Sequence, residues 1–168
     1  MGFHSLKDVL EEQLEDLHSA ETQLVEALPE MAQAAHNEEL RAAFEQHFDE
    51  TRGQLYRVKE ALGELGVSHP TAVCKGMQGL VAEGTETMGR DGDPMVKDAA
   101  LIGAAQRIEH YEIAGYGTAR QLADDCGFDG MRELLDQTLY EESQADRTLT
   151  KIATGGMFRA GVNRKAAT

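Results

Sequence analysis

Tryptophan is absent from this 168-residue chain, aromatic residues make up only 5%, and there are three prolines and two cysteines. Few aromatic and β-branched residues leave little material for sheets, and the apolar content is mostly Ala, Leu, Val and Met, which suits helices. Cys74 and Cys126 form no CxxC pair and are too few for a disulfide framework. No apolar run approaches the ~18 residues of a membrane span. The opening MGFHSLKDVLEEQLED has neither the basic region nor the apolar run of a signal peptide, so the expected compartment is the cytoplasm. Basic residues are scarce, 16 against 30 acids, for a formal charge of −14. That balance repels nucleic acid and anionic membrane, and neither is an expected partner.

The length suits one domain able to bury a full core. Helical periodicity predicts four long segments. The first runs from Ser5 to Ala35, with Ser5 and Asp8 as a capping box and Pro29 as a kink or break near its end. The second runs from Glu38 to Leu65 between Asn37 as N-cap and Gly66 as stop. The third runs from Pro94 to Asp124 after Asp93, and the fourth from Gly130 to Ala153, opened by Asp129 and closed by Gly155. The connection 67–93 carries five glycines and a short helix expected over Ala72–Met88. Two helical hairpins joined by a long crossover make a ferritin-like four-helix bundle over residues 1–155, with a flexible basic tail over 156–168.

The hairpins repeat one another weakly. His18-Ser19-Ala20-Glu21 matches Glu109-His110-Tyr111-Glu112, and Glu50-Thr51 matches Glu142-Ser143, at nearly equal spacing. A duplication of this kind brings two sets of acids to one place about a pseudo-two-fold axis.

Positions three and four apart share a helix face. The inward stripe of the first helix is Leu10, Leu14, Leu17, Glu21, Leu24 and Leu28. That of the second is Leu40, Phe44, His47, Glu50, Gln54 and Val58. The third gives Ile102, Ala105, Glu109, Glu112, Tyr116 and Ala119, and the fourth gives Met131, Leu135, Thr138, Glu142, Ala145 or Asp146, and Leu149. Each helix thus aims a carboxylate at the core near its middle. An unpaired buried carboxylate costs several kcal/mol. The inward stripes offer no Lys or Arg beside these acids, and Arg52 and Arg107 point sideways. Metal cations are the economical compensation, and carboxylate oxygens with a few imidazole nitrogens suit Fe, Mn or Zn.

HSAET, HFDET, IEHYEIAGYGT and YEESQAD in the four helices are similar to the YciE/YciF stress-protein family of ferritin-like bundles, over about residues 5–155. The resemblance implies a rubrerythrin-like dimetal bundle, a homodimer, and a part in bacterial stress responses. It implies Glu21, Glu50, Glu112 and Glu142 as core ligands, Glu109 and Glu112 as a Glu-x-x-Glu pair, and Asp146 and Gln54 near the remaining ligand places. The usual Glu-x-x-His signature is missing, and His47 precedes its glutamate instead, so the site is richer in oxygen. Two divalent ions, iron first with manganese or zinc as alternatives, would be bridged by Glu50 and Glu142 at ~3.5–4 Å. The function divides into an oxidoreductase that consumes O2 or peroxide, with Glu109 and Tyr116 in catalytic roles, and a non-catalytic stress protein stapled by its metals. An iron-storage shell is a third reading, for which the pattern shows no shell contacts.

Overall fold

In the computed structural model, which describes residues 2–156 and 159–167, the chain is all-α apart from one two-residue hairpin. Helices α1 (Leu6–Ala34), α2 (Glu38–Glu64), α4 (Pro94–Asp125) and α5 (Asp129–Thr154) form the bundle, and α3 (Lys75–Gly89) lies in the crossover. At 26 to 32 residues the four are about 40–48 Å long. Their ends follow local chemistry. Ser5 and Asp8 cap each other's backbone amides at the start of α1, and Asn37 and Asp93 accept the first amides of α2 and α4. Gly66, at φ 88°, ends α2 by accepting a left-handed backbone. Helix α1 continues through Pro29 to Ala34 without a break. The crossover helix starts later than Ala72 because Cys74 caps it through its thiol. Phe128, not Asp129, holds the N-cap position of α5, where no side chain caps.

Helices α1 and α2 pack as one hairpin and α4 and α5 as another, α1 lies on α4 and α2 on α5, and α3 covers the α1–α4 side. Cross-helix bonds give the directions. His36 and Asn37, just past α1, donate to Asp98 near the start of α4, while Asp16 early in α1 accepts from Tyr111 further along α4, so the two run antiparallel.

The core divides into two apolar clusters. One holds Leu24, Leu28, Leu40, Phe44, Ile102 and Leu149, and the other holds Leu10, Leu14, Val58, Tyr116, Met131 and Leu135. Between them lies a layer of buried polar side chains at mid-height: Glu21, His47, Thr51, Gln54, Glu109, Glu112, Thr138 and Glu142.

The segment expected as a flexible tail takes a defined path in its described residues. Strands β1 (Gly155–Gly156) and β2 (Arg159–Ala160) pair antiparallel, and helix α6 (Val162–Ala166) buries Val162 in the first cluster. Gly155 sits at φ 76°, and a Cβ there would meet the Arg159 carbonyl at 2.3 Å. Gly155, expected only as the stop of the fourth helix, and Gly161 are there because two backbones cross closely. Residues 157, 158 and 168 of that expected tail lie outside the described residues.

Asp98 was not singled out by its pattern, yet it is fully buried, accepting the amides of His36 at 2.9 Å and Asn37 at 2.7 Å. It ties the α1–α2 turn to α4. Asp98→Ala leaves two amides without a partner and is expected to cost about 2 kcal/mol or more in urea unfolding, whereas an unchanged midpoint would contradict this role.

Candidate metal centre

Each long helix delivers its polar residue to the same height because each interrupts its apolar stripe near its own middle. From α1 comes Glu21, from α2 His47 and Gln54, from α4 Glu109 and Glu112, and from α5 Glu142, all buried. One ligand atom each from His47, Glu109, Glu112 and Glu142 lies within 4.8 Å of the others, an arrangement able to hold a metal ion. His47 Nε2 is 3.4 Å from Glu109 Oε1 and 3.8 Å from Glu142 Oε2. On the α1–α4 side, Glu21 stands behind this group and accepts a hydrogen bond from the Tyr116 hydroxyl. Gln54 donates to Glu142.

The sequence-predicted residues do not all converge. Glu50 is at the rim, its side chain about one-third exposed, with its Oε2 3.6 Å from His47 Nδ1 and its Oε1 accepting from Gln46. The inward face of α2 steps through Phe44, His47, Thr51, Gln54 and Val58, and Glu50 falls one position off that track. Asp146 is further out. It accepts from Gln106 at 2.9 Å and lies 3.3 Å from His110, on the flank of α5. Gln54 is inside, but its amide serves as a donor that steadies Glu142. Arg52 pairs with Asp49 and Arg107 with Glu83 at the surface. A nearby cation does exist: Arg57 bonds Glu141 and donates to Thr138 at 2.9 Å. Glu141 and Arg57 meet across two helices 84 positions apart, which no single stripe reveals. Thr51, donating to the His47 carbonyl, was likewise hidden by the choice of Glu50.

The electrostatics are those of a layer short of positive charge. Burial pushes Glu21 up to about 8, with the Glu142 carboxylate adding to the effect and the Tyr116 bond opposing it. Burial also drives Glu109 and Glu112 well above the carboxylate range, and Glu112 is raised further by Glu21 and Glu142. Glu142 rises for the same first reason, against the pull of His47. Burial alone would lower His47, but Glu109, Glu50, Glu142 and Glu21 together lift it to about 10. Glu50 is held below the usual range, chiefly by the neighbouring His47 imidazole.

Orphaned atoms test whether the site fits a metal. Among the described residues, Glu21 Oε2, Glu109 Oε2, both Glu112 oxygens, Glu142 Oε2 and both His47 nitrogens are buried without a hydrogen-bond partner. Native interiors leave few such atoms, so seven at one height need a cause. They are five carboxylate oxygens and two imidazole nitrogens, the donor set of Fe, Mn or Zn. The residues fit a metal.

A family described as "Domain of unknown function (DUF892)" matches residues 5–167. The chain belongs to that family. Protein YciF of Escherichia coli (strain K12) is 40% identical over 165 residues, covering 98% of this chain and 99% of the relative. The crystal structure of the E. coli stress protein YciF superposes with a TM-score of 0.85 over 89% of this chain and 94% of that one. The structure of YcfI from Rhodopseudomonas palustris also gives 0.85, at 36% identity over 89% and 96% of the two chains. The helical bundle described above is therefore the DUF892 fold.

The shifts carry a sign. Carboxyls raised above the ordinary 4.5 make the folded chain bind more protons than the unfolded one, and His47, raised from 6.5, acts the same way. Metal-free stability therefore falls as pH climbs from about 4.5 through 8 and on toward 10, with Glu50 opposing only below 4.5. Thermal melts of chelator-treated protein at pH 5 and pH 9 check this, and saturating metal is expected to flatten the decline. A metal-free protein more stable at pH 9 than at pH 5 would contradict it.

Proposed function

We propose that this DUF892 protein is a dimetal-carboxylate stress protein that reduces peroxide, or oxidises Fe(II) with O2 or peroxide. The observation that carries the reading is the layer of unpartnered carboxylate oxygens from α1, α4 and α5, joined by the His47 imidazole of α2 and sealed between two apolar clusters. The description of E. coli YciF as a stress protein supports the setting.

His47, Glu109 and Glu142 would hold one ion and Glu21, Glu112 and Glu142 the other, so that Glu142 is shared. Glu50, one residue off the inward face, completes the rim. Two reduced iron ions bound there would supply two electrons, which with two protons take hydrogen peroxide to two waters. Tyr116 keeps Glu21 oriented through its hydroxyl, and Gln54 does the same for Glu142. Glu50, exposed on one side and against His47 on the other, is placed to pass protons between solvent and the interior. Iron is the first choice of metal, with manganese or zinc as alternatives. The proposal includes a homodimer in the cytoplasm, with no nucleic acid or membrane partner. The charge of −14 supports the last point, and no described helix is long and apolar enough to cross a membrane. A second reading, in which the ions only staple the bundle, draws on the structural role suggested for the Rhodopseudomonas relative.

Anaerobic Fe(II) titration followed by a peroxide pulse separates these. Two ions per chain with peroxide consumption are expected, and Glu112→Gln is expected to weaken binding by about 100-fold or more, beyond the loss seen for residues that only orient ligands. The same variant is expected to melt higher than wild type when both are metal-free at pH 8, because it removes a buried acid. Binding with a raised melting temperature and no turnover would favour the staple. Unchanged affinity in Glu112→Gln would contradict both.

A further inference from the structure

The polar layer is closed on one side and open on the other. On the α1–α4 side Glu21, Glu112 and Tyr116 are at most 1% exposed. The two helices approach so closely there that a Cβ on Gly115 would stand 3.0 Å from Leu17 Cδ2. Helix α3 seals that face again, fastened by Cys74, whose amide donates to Ser19 and whose carbonyl accepts from Gln23. Apolar clusters close the layer above and below.

The α2–α5 seam is different. On one side of the layer it is bolted: Gln54 reaches Glu142, and Arg57 reaches Thr138 and Glu141. On the other side no such bond is formed among the described residues, and each helix presents one alanine to the seam. Ala43 on α2 and Ala145 on α5 flank a cavity of about 50 Å³ whose inner end is His47 and Glu109. Its outer end is formed by Gln46, Glu50 and Thr148. A shallow groove continues from Ala43 and Thr148 along the seam toward Glu39 and Lys151. The cavity has room for a few water-sized molecules and not for an organic substrate.

We propose that this gap is the port through which metal ions and small ligands the size of water, O2 or peroxide enter, and that ligand exchange takes place at the His47–Glu109 end of the layer. The Glu21–Glu112 end is the closed end, filled through the first and held by Tyr116. This rests on the reading of the layer as a metal site and adds to it a direction of access and a size limit on the substrate. The Glu50 carboxylate at the mouth gives incoming cations an electrostatic lead. Specificity for small molecules would come from Ala43 and Ala145, which touch no ligand position and act only by their size.

Uptake of Co(II) by metal-free protein, followed by its visible absorption, reads the port directly and needs no turnover. Ala145→Leu and Ala43→Leu fill the gap from opposite walls. Each is expected to bind the wild-type number of cobalt ions, but on the order of tenfold more slowly, equivalent to about 1.4 kcal/mol on the barrier. Thr148→Tyr covers the exposed mouth without adding volume to the interior and is expected to slow uptake in the same way. Ala114→Leu, on the exposed face of α4, is the control and should leave the rate unchanged. Wild-type rates in all three port variants would overturn the port. So would a reduced number of cobalt ions in Ala43→Leu and Ala145→Leu, since the walls are not ligands. No cobalt bound by the wild-type protein would instead sink the reading of the layer as a metal site.

Discussion

Buried carboxylates whose oxygens are left partly unpartnered by their own protein set the terms for this structure. Glu21, Glu109, Glu112 and Glu142 are withdrawn from water at one height of the bundle, together with the imidazole of His47. A single isolated ionised carboxylate in such surroundings costs more than a small domain's whole stability unless it is neutralised. Protons can do this, and the raised pKa values of Glu21, Glu109 and Glu112 show the metal-free fold relying on them. Cations do it better, because they satisfy several oxygens at once and need not leave as pH rises.

The rest of the architecture serves that layer. Long helices allow a full apolar cluster at each end, so the cost of the middle is spread over a core built around it. Hairpins with a crossover place α1 on α4 and α2 on α5, which brings the midpoints of all four helices together. The weak duplication supplies the acids but does not keep them equivalent. Glu142 is buried where its counterpart Glu50 is at the rim, and Gln54 is buried where Asp146 is outside. The sides of the layer differ accordingly: α3 and the Leu17–Gly115 contact close one, and small alanines leave a gap in the other.

Much of this was legible in the residues. Ser5, Asn37, Asp93 and Gly66 mark helix ends by chemistry that acts within one turn, so local reading suffices. Glu21, Glu109, Glu112 and Glu142 stand at apolar places in strongly patterned stripes, and the structure buries all four. Glu50 and Asp146 were misplaced because one step along a helix turns a side chain by about 100°, and the polar stretches of α2 and α5 offer two equally regular tracks. Arg57 with Glu141, and Asp98 with the α1–α2 turn, join residues far apart in the chain, which helical periodicity does not report. The path after Gly155 was hidden for a different reason. Glycine there answers to a close backbone crossing, and composition alone does not distinguish that from a mobile tail.

Anomalous diffraction from crystals of the purified protein grown with Mn(II) tests the central claim most directly. Two anomalous peaks in the polar layer, each touching Glu142 and shared between the His47–Glu109 and Glu21–Glu112 ends, are the expected result. An ordered layer with no peak, its oxygens satisfied by water or by one another, would contradict it.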